Sequence, residues 1–388
     1  MTGPEFKLSD FSFDGASAPA IEDLSTLGEA DKKRLLYAGV DVDQKDRAGS
    51  FLHMDHSGVH CRSNHPGVEI LDIKQALKKY DGLPGHFWTQ VDPDKDEFTR
   101  AAREQLHGGY FVRTAPGAKI VEPVQSCLFL KGQAVGQNVH NVVIVEEDSE
   151  LHIITGCAVA GETQSAAHLG ISEFFIKKGG RLTFTMIHNW GHNTVVRPRT
   201  AGVVEAGGVF QSNYVLLKPV KTLQSYPAIT LAGEGSVARF NSVIVAPPGS
   251  HVNSGSRINL AASGTRGEII SRTMTTGGTI IAPANITASA VPARGHLECK
   301  GLIIGEGRIW AIPELDGTME GVELSHEAAV GKIAQEEIEY LQARGMDEAE
   351  ATSTIVRGFL NVDMDGLPPR LQQAISEQID QLDSSDAM

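Results

Sequence analysis

Residues 235–264, GSVARFNSVIVAPPGSHVNSGSRINLAASG, contain one full unit of a pattern that recurs through much of the chain. Apolar runs such as SVIVA alternate with Gly-containing turns, and GTIIA at residues 278–282 repeats the style. Turn signals near Asp148, Gly179, Gly207, Gly235, Gly264 and Arg294 return every 28 to 31 residues, with weaker ones near Gly249, Gly277 and Gly305. A fixed period of that size predicts a repeat architecture with one coil per period. The strands read as apolar runs more than as strict alternation, as expected when each strand is hydrogen-bonded to the next coil in a parallel stack. A sandwich of hairpins would carry two-residue Asn-Gly turns, and the stretch has none. The pattern predicts a mainly β chain built on a parallel β-helix.

Working outward, the β pattern is expected over residues 109–322, including NVVIVEEDSELHIITG and SEFFIKKGGRLTFTMIHNW. Residues 1–108 read as an α-rich region. Thr26 and Glu29 have capping-box spacing, Asp72 is placed to cap DIKQALKKYDG, which closes at Gly82, and a third helix fits DKDEFTRAAREQLHGG. Residues 323–388 read as helical: Val330, Ile333, Ala334, Ile338 and Leu341 make one stripe ended by Gly345, Asp347 can cap the next helix, and RLQQAISEQIDQL forms a last one. A solenoid exposes an unpaired edge at its open end, so these helices are expected to cover that end or to dock a partner.

Composition narrows the function. With 388 residues, 41% apolar and 21% charged, the chain can bury its own core without disulfides. Four scattered cysteines fit a reducing cytoplasm, and neither a basic leader with an apolar core nor a run of about 18 apolar residues is present. A formal charge of −14 repels phosphate backbones and anionic lipid, so nucleic acid and membrane partners are not expected. No phosphate-binding loop precedes Lys332 and no Gly-x-Ser-x-Gly elbow occurs, so no ATP hydrolysis by the chain itself is expected.

Two groups of reactive side chains fall near the end of the repeats. Cys299 lies beside Lys300, whose ammonium can lower a thiol pKa and favour metal or persulfide chemistry; the alternative is a small buried side chain. His326 and Glu327 offer nitrogen and oxygen ligands for iron, while Ser325 and Glu327 also suit the start of a helix. A third group, His53, His56, His60 and Cys61, has metal-like spacing, yet neither a helix nor a strand turns all four to one side. Cys127 and Cys157 sit in apolar strands as core residues, and His188 and His192 beside Trp190 read as a packed surface pair.

The stretch LSHEAAVGKIAQEEIEYLQARGMDEAEATSTIVRGFL resembles the SufB/SufD family of iron–sulfur cluster assembly scaffolds, through its His-x-Ala segment, its YL-x-x-RG turn and its closing RGFL. The likeness extends back through HLECKGLIIGEGRIWAIPEL and more loosely to DHSGVHC and ALKKYDG. It implies a right-handed parallel β-helix flanked by helical ends, pairing through the β-helix, and a SufC-like ABC ATPase bound by the C-terminal helices. The resemblance makes Cys299, His326 and Glu327 the expected holders of a transient iron–sulfur cluster. Cys299 and Glu327 match SufB, whereas Ser325 and the VGK segment resemble SufD, which suggests a homodimer in which one chain serves both roles; a paralogous partner subunit is the alternative. Ala228 stands where SufB carries a second, sulfur-receiving cysteine, so the sulfur donor and its route are left open, as is any part for a flavin. The expected function is a non-enzymatic scaffold, against two other readings: a secreted-type β-helix enzyme acting on acidic polysaccharide, and a structural adaptor for the ATPase that holds no cluster.

Overall fold

Stacked turns set the coil. Gly179, Gly207, Gly235 and Gly264 adopt φ of 65–73°, the left-handed region that glycine enters without steric cost. Each N–H bonds to the turn of the next coil: Gly179 to Ala206 O, Gly207 to Glu234 O and Gly235 to Ser263 O at 2.9 Å, and Gly264 to Pro292 O at 2.6 Å. Asp148 takes the same conformation at φ 53°. The signal assigned to Arg294 falls instead inside a strand, and its turn lies just upstream, at residues 289–292.

The computed structural model describes residues 4–43, 46–161 and 165–360, with Gln372, Gln373 and Glu377. Apart from those last three, the helix expected at residues 370–382 lies outside the described residues. The chain is mainly β, a parallel solenoid of about eight turns with helices at the termini. Its strands form a ten-stranded and a twelve-stranded sheet. Register follows the sequence period: Ile153, Phe184, Ser212, Phe240, Ile269, Leu297 and His326 stand side by side on successive parallel strands. The apolar members of this row face the other sheet, and Phe174–Phe184 and Phe210–Phe240 ring pairs, with centroids 4.8 and 5.7 Å apart, fill the interior. Each fully buried Phe or Ile contributes roughly 1.5–3 kcal/mol.

The first 108 residues are less helical than their pattern suggests. Helices Glu29–Tyr37, Ile73–Lys79 and Glu97–Glu104 are present, but so are strands Gly49–Met54, Ser57–Ser63 and Val68–Asp72. The first two pair antiparallel and join the ten-stranded sheet beside Val124–Leu130; the third joins the twelve-stranded sheet through Tyr110–Thr114. Asp72 caps its helix by accepting from Lys74 N at 2.8 Å. Thr26 does not form the expected box, because its hydroxyl donates to Asp23 O at 2.7 Å and Gly28 is the N-cap.

At the other end the strands outrun the expected boundary. Residues Val322–Gly331 form a strand, hereafter the edge strand, paired in parallel with Ala293–Ile303, the cysteine strand. Local helical spacing there loses to an in-register partner already in place. Helices follow at Gln335–Gln342 and Glu348–Leu360. Asp347 and Glu350 cap the second reciprocally, at 2.8 and 3.1 Å. Val356 and Leu360 pack on Ile187, Val215, Met274 and Leu302, so this helix lies on the outer face of the ten-stranded sheet rather than over the end of the coil. The edge strand ends its sheet's order, and Arg308–Gly317 pairs only with Thr279–Ala288 among the described strands.

Candidate functional site

The last two strands of the ten-stranded sheet carry all three expected residues. Side chains alternate faces along a strand. On the cysteine strand Gly295, Leu297 and Cys299 are buried and inward, while His296, Glu298 and Lys300 face out. In-register pairing carries this parity to the edge strand: His326 stands beside Leu297, Glu327 beside Glu298 and Ala328 beside Cys299. Cys299 and His326 therefore share the inner face, two positions out of register, and Glu327 lies on the outer face. Cys299 is 3% exposed. His326 and Glu327 are exposed because no strand among the described residues follows theirs.

The expectation for the Cys299 thiol is reversed. Lys300 points away from it and bonds Glu298 at 2.9 Å, where Arg272 also pairs at 2.5 Å. Burial, and next the Glu298 carboxylate, raise the Cys299 pKa, with Arg272 opposing. At neutral pH the side chain is a thiol that must lose its proton before it can bind metal. Ser325 caps no helix; its Oγ lies 2.8 Å from His296 Nδ1 on the outer face.

Inside the coil a cavity of about 80 Å³ runs between the sheets, lined by His168, Met186, His188, Tyr214, Ser271 and Cys299 among others. Its room suits several water-sized groups. His188 is not a surface residue: it is buried, and its Nδ1 lies 2.9 Å from Tyr214 Oη. Burial pushes His168 down to about 3 and His188 well below its usual value, so these imidazoles are neutral. Cys157 Sγ touches Met186 Sδ at 3.7 Å within the core, and burial raises its pKa far above normal. Stacking residues by coil position would have shown that His168 and His188 point inward; residue type alone did not. Ala228 begins strand Ala228–Leu231 of the other sheet.

The N-terminal histidines diverge. His60 lies 2.8 Å from both Ser50 Oγ and Ile21 O, His56 lies 3.0 Å from Gly136 O, and Cys61 Sγ contacts Ile70 O at 3.4 Å. His53 is buried, and among the described residues neither ring nitrogen makes a hydrogen bond of good geometry. Among the described residues of one chain, no group of three or more His, Cys, Asp or Glu side chains is arranged to hold a metal ion. No helix among them is long and apolar enough to cross a membrane.

A family description, "SUF system FeS cluster assembly, SufBD core domain", matches residues 128–359. An iron–sulfur cluster assembly SufBD family protein of Archaeoglobus fulgidus is 51% identical over 355 residues, covering 90% of this chain and 94% of the relative. One from Methanothermobacter thermautotrophicus is 44% identical, covering 90% and 87%. The iron–sulfur cluster assembly protein SufB of Bacillus subtilis is 29% identical over 301 residues, covering 76% and 64%.

Proposed function

Because the chain belongs to the SufBD family of SUF-type iron–sulfur cluster assembly proteins, we propose that it is a scaffold on which a cluster forms at the seam between two subunits. The carrying observation is the open end of the coil. Among the described residues the edge strand has no partner on its outer side, and Cys299, His326 and Glu327 all lie on it or on the strand next to it. Ile312, Leu315 and Val330 on the two last strands are exposed, an apolar edge of the kind that recruits another strand. A second copy pairing there about a two-fold axis would extend both sheets and bring a second thiol, imidazole and carboxylate to the same place. A paralogous subunit could fill that role in the same geometry.

One thiolate with imidazole and carboxylate holds iron less permanently than four cysteines, which suits a cluster that must leave. Iron and sulfide are cargo here. Cys299 would ligate after losing its proton, and the neutral cavity behind it would keep bulk water from the nascent cluster. The C-terminal helices, of which Glu348–Leu360 packs on the outer wall, would take an ABC-type ATPase whose nucleotide cycle moves one subunit against the other. We place the complex in the cytoplasm and the ATP chemistry in the partner.

The test is anaerobic reconstitution with iron and sulfide. Cys299→Ala and His326→Ala should each lose most of the bound iron and the cluster absorbance. Unchanged iron and absorbance in both variants would remove these residues from the site, and unaltered binding of the ATPase alongside would favour the adaptor reading.

A further inference from the structure

Along the outer face of the last two strands, cross-strand partners come in order: Arg294 with Glu323, His296 with Ser325, Glu298 with Glu327. Two of these carboxylates are neutralised. Glu323 pairs with Arg294 at 2.9 Å, and Glu298 with Arg272 and Lys300. Glu327 is exposed and forms no hydrogen bond or ion pair with the described residues. His296 is held at Nδ1 by Ser325 Oγ, 2.8 Å away, while Nε2 has no protein partner among the described residues. An imidazole fixed through one nitrogen and open at the other is the form in which histidine ligates metals, with the hydroxyl holding the ring's orientation and accepting from Nδ1–H when Nε2 ligates. His296 and Glu327 are diagonal neighbours on one face of a parallel pair, about 8 Å apart at the backbone from the strand spacing and two residues of rise, within the combined reach of both side chains.

We propose that His296 and Glu327 form an acceptance site for hydrated ferrous iron on the outer face of the sheet, separated by the sheet from Cys299 and His326 on the inner face. Ser325 is the positioning residue. Nitrogen and oxygen donors suit Fe²⁺, whereas the inward thiol in its apolar wall suits sulfur. With two protein ligands and water in the remaining positions, the ion is held weakly enough to move on. Glu327, exposed at the free edge, is the side chain placed to follow iron from the outer face to the seam. This inference rests on the scaffold reading above and adds the route of one of its two substrates.

The experiment is Fe²⁺ binding without sulfide, measured anaerobically on the full chain by competition with a ferrous chelator. His296→Ala should weaken Fe²⁺ at least tenfold. Ser325→Ala should weaken it by a smaller factor, because it leaves both ligands in place but frees the ring. Cys299→Ala should keep sulfide-free iron while losing the reconstituted cluster. Ser325 is exposed and His296 half-buried on the outer face, and melting curves matching the wild type will establish that the fold is intact. Wild-type Fe²⁺ affinity in His296→Ala would overturn the proposal, as would equal loss in Cys299→Ala and His296→Ala. Failure of the scaffold reading is seen separately, as clusters that still form with iron and sulfide in Cys299→Ala and His326→Ala.

Discussion

Cys299 and His326 face the same interior from adjacent strands, one buried in the wall of the coil and the other exposed at its open lip. That pairing assigns the thiol and imidazole to the inside of the last coil and sends Glu327 to the outside. A complete ligand set therefore needs both faces of the edge, or a second subunit.

Loading should depend on pH through Cys299. Its thiol is held above the usual pKa by burial and by Glu298, so ligation releases a proton. Between pH 6 and 8 apparent metal affinity at this ligand should rise about tenfold per unit, and the rise should vanish in Cys299→Ser. Affinity that is flat with pH in the wild type would mean the thiolate is already formed.

The free edge should be essential for pairing. Val330→Lys or Ile312→Asp puts a charge on an exposed strand, a change that blocks edge-to-edge association at little cost to the subunit. Light scattering should give the mass of a single chain for either variant and of two for the wild type, with similar melting temperatures. A variant that still pairs would place the seam elsewhere.

Acid should unfold the protein early. Burial lowers His53 and His168 to about 3 and His107 and His152 to about 4, well under the value of 6.5 expected when unfolded. The unfolded chain therefore binds more protons than the native one between these limits, so stability falls as pH drops below about 6.5. The fully buried His53 and His168 each contribute a slope of about 1.4 kcal/mol per pH unit. Urea midpoints at pH 7, 6 and 5 should fall progressively; equal midpoints would contradict the neutral burial of these rings.

Glu173 ties the 88–91 loop to the coil. Its carboxylate accepts N–H groups of Trp88, Thr89, Gln90 and Val91 at 2.5–3.1 Å and bonds His140 Nε2 at 2.8 Å. Burial alone would raise its pKa, but the His140 and backbone hydrogen bonds hold it below normal, so this contribution is present above the unfolded carboxylate pKa and lost as pH falls through the folded one. Glu173→Ala leaves His140 Nε2 and those N–H groups without this acceptor and should cost about 3 kcal/mol or more, since each buried donor left unsatisfied costs about 1–3 kcal/mol. Loss under about 1 kcal/mol in urea unfolding would show that the loop is held by its aromatic contacts instead.

The coil was legible because its turns are spelled in glycine at a fixed period, and each left-handed turn bonds to the next. Residue chemistry singled out Cys299, His326 and Glu327 as candidates, but only the family resemblance grouped them into one expected site, since residue spacing along one strand says nothing about the neighbour it acquires. The edge strand reads as helix in the sequence because Val330 fits a helical stripe as well as it fits a strand, and only the partner at residues 293–302 decides between them. His296 went unnoticed for a similar reason: its link to Ser325 spans 29 residues and exists only once two coils are stacked. The sign of the Cys299 shift also needed three dimensions, because sequence adjacency placed Lys300 near the thiol while strand alternation put it on the opposite face.

The most direct test of the shared site is X-ray absorption at the iron edge of the anaerobically reconstituted protein. A first shell that mixes sulfur with nitrogen or oxygen, and whose light-atom part shrinks in His326→Ala, is the expected result. A shell of sulfur alone, unaltered by that substitution, would contradict a cluster held by Cys299 together with the imidazole and carboxylate of the edge strand.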